Sequence, residues 1–135
     1  MKYLLFTLLL LPSFYASAAN STYSGDSIQK LYLEIRYLHR TGVGIHQKYD
    51  PSDLVQLKAC TSEHGYIGTR ARSVVGIANR LIHPAKEDFI KTAWQAYSCI
   101  KCSSPMSSCE PIPTELKKIK DIMAKEYQEQ QNKSE

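Results

Sequence analysis

The sequence predicts an all-α fold: a compact bundle of four or five short amphipathic helices, stapled by two disulfides, that follows an N-terminal signal peptide. Three observations support this prediction. Apolar residues recur every three or four positions along most of the chain. No segment alternates apolar and polar residues as a half-buried strand does. Four cysteines occur within only 135 residues, which is typical of a small exported domain.

The first 19 residues have the order of regions that defines a secretory signal peptide. Lys2 supplies a positive charge, residues 4–11 form a short apolar run, and residues 16–19 are small. Cleavage is expected after Ala18 or Ala19. The apolar run is too short to span about 30 Å of hydrocarbon, and no later segment is apolar for long enough. We therefore predict no membrane insertion of the mature chain and a periplasmic or secreted location.

Length and composition allow one domain, which we place at residues 20–127, with a polar C-terminal tail over residues 128–135. The chain has a net charge of +4, which falls to +3 when Lys2 is removed with the signal peptide. No basic tract is interleaved with aromatic residues, so we predict no nucleic-acid binding. Asn20 and Asn132 each begin a glycosylation sequon, which matters only in a eukaryotic source.

Helical periodicity predicts the first helix, and glycine predicts its end. Five apolar residues fall on one face of this segment: Ile28, Leu31, Tyr32, Ile35 and Leu38. Because Gly42 and Gly44 lie close together, we expect the helix to end there.

The next two helices have a clear start and a clear apolar face, respectively. Residues 50–53 (Asp-Pro-Ser-Asp) place a cap residue before a first-turn proline, and Asp53 suits the positive end of a helix that runs toward Gly65. The third helix is expected over residues 69–82. Its apolar face comprises Ala71, Val74, Val75, Ala78, Leu81 and Ile82.

A proline in a helix-start context predicts the fourth helix, and a loop precedes the fifth. Pro84 is expected in the first turn of the fourth helix, which we predict to be central. Its broad apolar face comprises Phe89, Ile90, Ala93, Trp94, Tyr97 and Ile100. Residues 103–113 contain three prolines and are expected to be a loop. Thr114 is expected to cap the last helix, with Leu116, Ile119, Met123 and Tyr127 facing inward.

The four cysteines, Cys60, Cys99, Cys102 and Cys109, are expected to form two disulfides. We predict the pairs Cys60–Cys99 and Cys102–Cys109. The main alternative exchanges Cys99 and Cys102 between these partners. Cys99 and Cys102 also form a C-x-x-C sequence, but it follows a helix rather than starting one, so the helix dipole opposes thiolate formation. Structural disulfides are therefore favoured over redox catalysis or zinc binding.

No catalytic, cofactor or metal site is predicted from the remaining polar residues. The four histidines, His39, His46, His64 and His83, are scattered, and no two stand four residues apart. No serine lies in a G-x-S-x-G sequence. Asp50 and Asp53 have the spacing of paired carboxylates, but helix-start chemistry explains this spacing better.

Tyrosine and arginine residues outside the apolar stripes form the candidate partner surface. These two residue types concentrate binding energy in protein interfaces. Tyr32 and Tyr97 fall on apolar faces and are expected in the core. The candidate surface consists of Tyr37, Arg40, Tyr49, Tyr66, Arg70 and Arg72.

One stretch resembles helical periplasmic immunity proteins of type VI secretion amidase toxins. It contains Val74 and Val75, then Leu81 to Pro84, then Ala93, Ala96, Tyr97 and Cys99, a pattern of a helix, an His-Pro break and a helix ending in cysteine. The resemblance covers about a fifth of the chain and carries over no functional residue.

We expect an exported, small, non-enzymatic binding protein that sequesters or inhibits a protein partner, such as an immunity or inhibitor protein against a secreted toxin or a cell-wall hydrolase. The alternative partner is a second copy of this chain, which would form a homodimer. An accessory or structural component of an envelope or secretion system is the first alternative function. A secreted effector or small hydrolase is the second.

Overall fold

The computed structural model describes residues 25–133 and has five α-helices and no strand in that part of the chain. The helices are α1 (Gly25–Lys48), α2 (Leu54–His64), α3 (Ile67–Asn79), α4 (Lys86–Cys99) and α5 (Ile112–Asn132). A 3₁₀ turn, Met106–Cys109, interrupts the loop between α4 and α5. The all-α prediction is confirmed for these residues. The predicted signal peptide and the Asn20 sequon lie outside them.

Helix α4 is central, because it packs against α1, α3, α5 and the 3₁₀ turn. Its fully buried inward face carries one large side chain, Phe89, followed by the small residues Ala93 and Ala96. Small residues allow neighbouring helices to approach closely, which lets α4 contact three other helices at once. The surrounding helices contribute the rest of the core, including Leu31, Ile35, Leu38, Val74, Ala78, Ile112 and Ile119.

The prediction that helix α1 ends at its glycines is wrong. The helix continues through Gly42 and Gly44 to Lys48. Gly42 is buried against the end of α4, and a Cβ atom built there would lie 2.3 Å from the Sγ atom of Cys99. Gly42 therefore serves close helix packing rather than a turn.

Helix α2 is capped by Asp53 rather than by Asp50. The Asp53 carboxylate accepts hydrogen bonds from the backbone N–H groups of Val55 and Gln56, at 2.8 and 3.2 Å. Asp50 instead accepts from the backbone N–H and the hydroxyl of Ser52, which forms the turn before the helix. Both aspartates thus serve helix-start chemistry.

Helices α3, α4 and α5 begin and end a few residues from the predicted positions. Helix α3 ends at Asn79, so Ile82 lies beyond it and is 65% exposed. Helix α4 begins after Pro84, because the His83 ring accepts a hydrogen bond from the Ala85 N–H group and closes a turn there. Helix α5 begins two residues before Thr114 and continues to Asn132.

Four aromatic residues are less buried than their helical positions predicted. Tyr32 and Tyr97 are half-buried and pack against the edge of the core. Trp94 is 51% exposed and its ring packs edge-on against Tyr97. Tyr127 is 64% exposed because every residue from Tyr127 to residue 133 lies on the exposed end of α5.

The disulfides join Cys60 to Cys102 and Cys99 to Cys109. Our preferred pairing is therefore wrong, and the alternative that exchanges Cys99 and Cys102 is correct. Cys99 ends α4 on its buried face, where it meets the 3₁₀ turn that carries Cys109. Cys102 follows in the loop and reaches α2. Two disulfides indicate that this domain forms in an oxidising environment outside the cytosol.

Candidate functional site

Exposed tyrosine and arginine side chains of α1 and α3 lie together on one side of the bundle. The Arg70 guanidinium stacks over the Tyr37 ring, with 4.1 Å between its Cζ atom and the ring centroid. Tyr66 precedes Arg70 by one helical turn and is 71% exposed. We call this set the aromatic–basic face and define it as Leu33, Tyr37 and Arg40 of α1, Tyr66 immediately before α3, and Arg70 of α3.

Helical spacing explains why these side chains share a face. Leu33, Tyr37 and Arg40 are four and three residues apart on α1, next to the buried stripe that faces the core. Tyr66 and Arg70 are four residues apart at the start of α3. Because α1 and α3 pack directly against each other, the two rows meet at Arg70 and Tyr37.

Glu34 holds Arg70 in place. Its carboxylate accepts two hydrogen bonds from the Arg70 guanidinium, at 2.8 and 2.9 Å. These bonds lower the pKa of Glu34 and raise the pKa of Arg70, so both groups stay charged at neutral pH. A two-point hydrogen bond fixes the plane of a guanidinium, and Arg70 is therefore held in one orientation at the surface.

The positive charge of the protein is concentrated on α1 and α3. Together these two helices contain six lysines and arginines and two acidic residues. In α2, α4 and α5 the numbers of basic and acidic residues are equal. The aromatic–basic face thus belongs to the two helices that account for the net charge of +4.

A groove of about 520 Å³ runs between α1 and α3 beside the aromatic–basic face. Leu31, Val74 and Ile77 form its apolar floor, while Lys30 and the Glu34–Arg70 pair stand at its edge. An apolar floor with a few charged groups at the rim is typical of ligand-binding sites.

Two residues of the predicted surface, Tyr49 and Arg72, have other surroundings. The Tyr49 hydroxyl donates a hydrogen bond to Glu63 of α2, and Lys48 donates to both oxygens of the same carboxylate. This contact fastens the end of α1 to the end of α2. Arg72, two residues from Arg70 on the helix, lines a different cavity.

That second cavity has a volume of about 360 Å³ and lies among α2, the start of α3 and the loop after α4. We call it the disulfide cavity, because the Cys102 half of a disulfide lines it. Its other lining residues include Thr61, Gly68, Arg72, Tyr97 and Lys101.

The four histidines have different surroundings. The His46 ring bonds the Cys99 carbonyl oxygen at 2.8 Å, and His83 lies 2.5 Å from Glu126. His64 lines the disulfide cavity, and its Nε2 atom is 3.7 Å from the Glu63 carboxylate. His39 is half-buried on α1, and burial lowers its pKa.

Within residues 25–133, no group of three or more His, Cys, Asp or Glu side chains has a geometry that would hold a metal ion. In the same part of the chain, no helix is both long and apolar enough to cross a membrane.

Sequence reasoning did not find Leu33, Glu34 or Lys101. Leu33 was detectable, because it is a large apolar residue off the buried stripe of α1. Glu34 lies 36 residues from Arg70 in sequence, and no local pattern connects residues so far apart.

In comparisons with protein-family models, curated proteins and solved structures, the chain matches none of them. Its function is therefore inferred from the geometry of its own surface.

Proposed function

We propose that this chain is an exported, non-enzymatic binding protein that sequesters or inhibits a protein partner through the aromatic–basic face. The observation that carries this proposal is the fixed position of Arg70, which stacks on Tyr37 and donates two hydrogen bonds to Glu34. A side chain that is ordered before binding loses less conformational entropy when a partner docks. Tyrosine and arginine are also the residues on which interface energy most often depends.

The partner is expected to present an acidic surface. The face belongs to the two helices that hold the excess of basic residues, so an acidic protein would be attracted and correctly oriented. The apolar groove beside Arg70 would receive one apolar side chain of this partner. A secreted toxin or a cell-wall hydrolase held in this way would be inhibited if the docked segment lies at its active site.

Affinity capture with paired variants tests the proposal. The full chain, purified with both disulfides formed, is immobilised and exposed to envelope and culture-medium extracts. Tyr66→Ala changes an exposed tyrosine of the face, and Tyr127→Ala changes a similarly exposed tyrosine at the end of α5. We expect Tyr66→Ala to weaken retention of the partner about tenfold, and Tyr127→Ala to leave retention unchanged.

Recovery of a protein does not by itself support the proposal. Support requires that retention falls for Tyr66→Ala, is unaffected in Tyr127→Ala, and weakens as salt is raised. Equal retention by both variants would show that another surface binds the partner. Retention that disappears after nuclease treatment would identify a nucleic-acid ligand and contradict the proposal.

A further inference from the structure

The disulfide cavity has a positively charged lining with no carboxylate. Arg72 of α3 and Lys101 of the loop after α4 both line it, and neither forms an ion pair with any residue in the described part of the chain. No Asp or Glu is among its lining residues. By contrast, Arg70 on the same helix is already paired with Glu34.

The nearest acidic residue in sequence, Glu63, is already bound elsewhere. Its carboxylate accepts hydrogen bonds from Lys48 and Tyr49, which lie at the end of α1. These bonds lower the pKa of Glu63, whose carboxylate also lies 3.7 Å from the ring of the lining residue His64. Glu63 forms no ion pair with Arg72 or Lys101.

One wall of the cavity is apolar and partly rigid. Ile100 is 5% exposed, and the Tyr97 ring is half-buried with the Lys101 ammonium 4.5 Å from its centroid. The Cys60–Cys102 disulfide fixes the loop that carries Lys101. The side chain of Lys101 thus lies over the Tyr97 ring, on the exposed side of the cavity.

Gly68 also lines the cavity and has open space beside it. A Cβ atom built at Gly68 would meet no heavy atom within 4 Å, so the space beside it is free. At about 360 Å³ the cavity is near the lower end of the range for small-molecule sites. Its size fits one small organic group rather than a large cofactor.

From this arrangement we propose that the disulfide cavity binds a small organic carboxylate. The carboxylate lies between Arg72 and Lys101, and the apolar part of the ligand packs against Ile100 and Tyr97. This site is separate from the aromatic–basic face, so it does not depend on the proposed partner.

A pair of matched ligands tests the proposal on the full oxidised chain. Phenylacetate carries a carboxylate on an aromatic group, and phenylacetamide has nearly the same shape without the charge. Each is titrated into isotope-labelled protein while amide chemical shifts are recorded. We expect phenylacetate to give saturable shifts at Gly68 and Ser103 with a dissociation constant on the order of 1 mM, and phenylacetamide to bind about tenfold more weakly.

Variants separate the contribution of charge from that of shape. The double variant Arg72→Gln with Lys101→Gln should weaken phenylacetate binding roughly fivefold and leave phenylacetamide unchanged. Arg36→Gln, which changes an exposed arginine of α1 outside the cavity, is the matched control and should bind both ligands like the unmodified protein. Gly68→Leu should block both ligands without unfolding the protein, because the added side chain enters free space.

Three results would overturn the proposal. The first is an absence of saturable shifts around the cavity for phenylacetate. The second is equal binding of phenylacetate and phenylacetamide, which would indicate an apolar site without anion recognition. The third is equal phenylacetate binding by the double variant and by Arg36→Gln. None of these results bears on the Tyr66→Ala experiment, so the two proposals can fail independently.

Discussion

Replacing Gly42 by alanine should destabilise the protein, although the same replacement two residues later should stabilise it. Gly42 and Gly44 both lie inside helix α1. An added Cβ atom at Gly42 would lie 2.3 Å from the Cys99 Sγ atom and 2.8 Å from the Cys99 carbonyl oxygen, whereas at Gly44 it would meet nothing within 4 Å. The pair therefore isolates helix packing from helix propensity.

The expected magnitude follows from two opposing effects. Alanine favours a helix interior over glycine by about 1 kcal/mol, and this gain applies to both variants. At Gly42 the atoms that the added Cβ would meet cannot move aside easily. Cys99 Sγ forms a disulfide with Cys109, and the Cys99 carbonyl oxygen is hydrogen-bonded to the His46 ring. Overpacking of this kind costs about 3 kcal/mol, the upper part of its usual range. Gly42→Ala should therefore lose about 2 kcal/mol net.

Thermal unfolding of the oxidised protein, followed by circular dichroism, measures both variants. For a domain of this size 1 kcal/mol corresponds to about 4 °C in Tm. We expect Tm to fall by about 8 °C for Gly42→Ala and to rise by about 4 °C for Gly44→Ala. Mass spectrometry without reduction confirms that both disulfides remain in each variant.

An equal or higher Tm for Gly42→Ala than for Gly44→Ala would refute the reasoning. It would mean that α1 and α4 do not approach closely at Gly42. In that case Gly42 would not serve close helix packing.

Three further predictions concern the disulfide of α2 and the titration of α1. Replacing Cys60 and Cys102 together by serine should remove about 3 kcal/mol of stability. It should also raise hydrogen exchange chiefly in α2, because Cys60 is the one residue of that helix that is buried. Equal exchange in α2 with and without the disulfide would contradict this. Burial and the charge of Arg40 lower the pKa of His39 from 6.5. The contribution of His39 to stability is therefore complete above about pH 6.5 and is lost as pH falls through its lowered pKa. His39→Gln should reduce the slope of unfolding free energy against pH below about pH 6.5. The lowered pKa of Glu34 acts in the same direction below about pH 4.5. Glu34→Gln should cost about 0.5 kcal/mol near pH 7 and progressively less as the pH falls below about 4.5, as measured by urea unfolding at each pH.

Sequence spacing alone did not determine the disulfide pairing. Cys99 and Cys102 are one helical turn apart, and the sequence left open which of them joins Cys60. In the structure, α4 ends at Cys99 with that residue on its buried face, while Cys102 lies beyond the helix end. The position at which α4 ends therefore selects the partners, and helix ends are poorly determined by spacing alone.

The candidate binding face was partly predictable. Tyr37, Tyr66 and Arg70 were selected by residue type and by their absence from the apolar stripes, and the structure brings them together. The concentration of basic residues on α1 and α3 could also have been read from the sequence once the helices were assigned. The Glu34–Arg70 pair could not, because it depends on how two helices that are distant in sequence are aligned.

By itself the sequence determined the helical class, the approximate helix positions and the need for two disulfides, because each depends on local periodicity or on a count of cysteines. The tertiary structure alone decided three other features: the disulfide partners, the role of Gly42, and the separation of Arg70 and Arg72 into different sites. The physical reason is the same in each case. Contacts between helices are set by how whole surfaces pack, and one glycine, cysteine or arginine can serve either of two purposes until its neighbour across the interface is known.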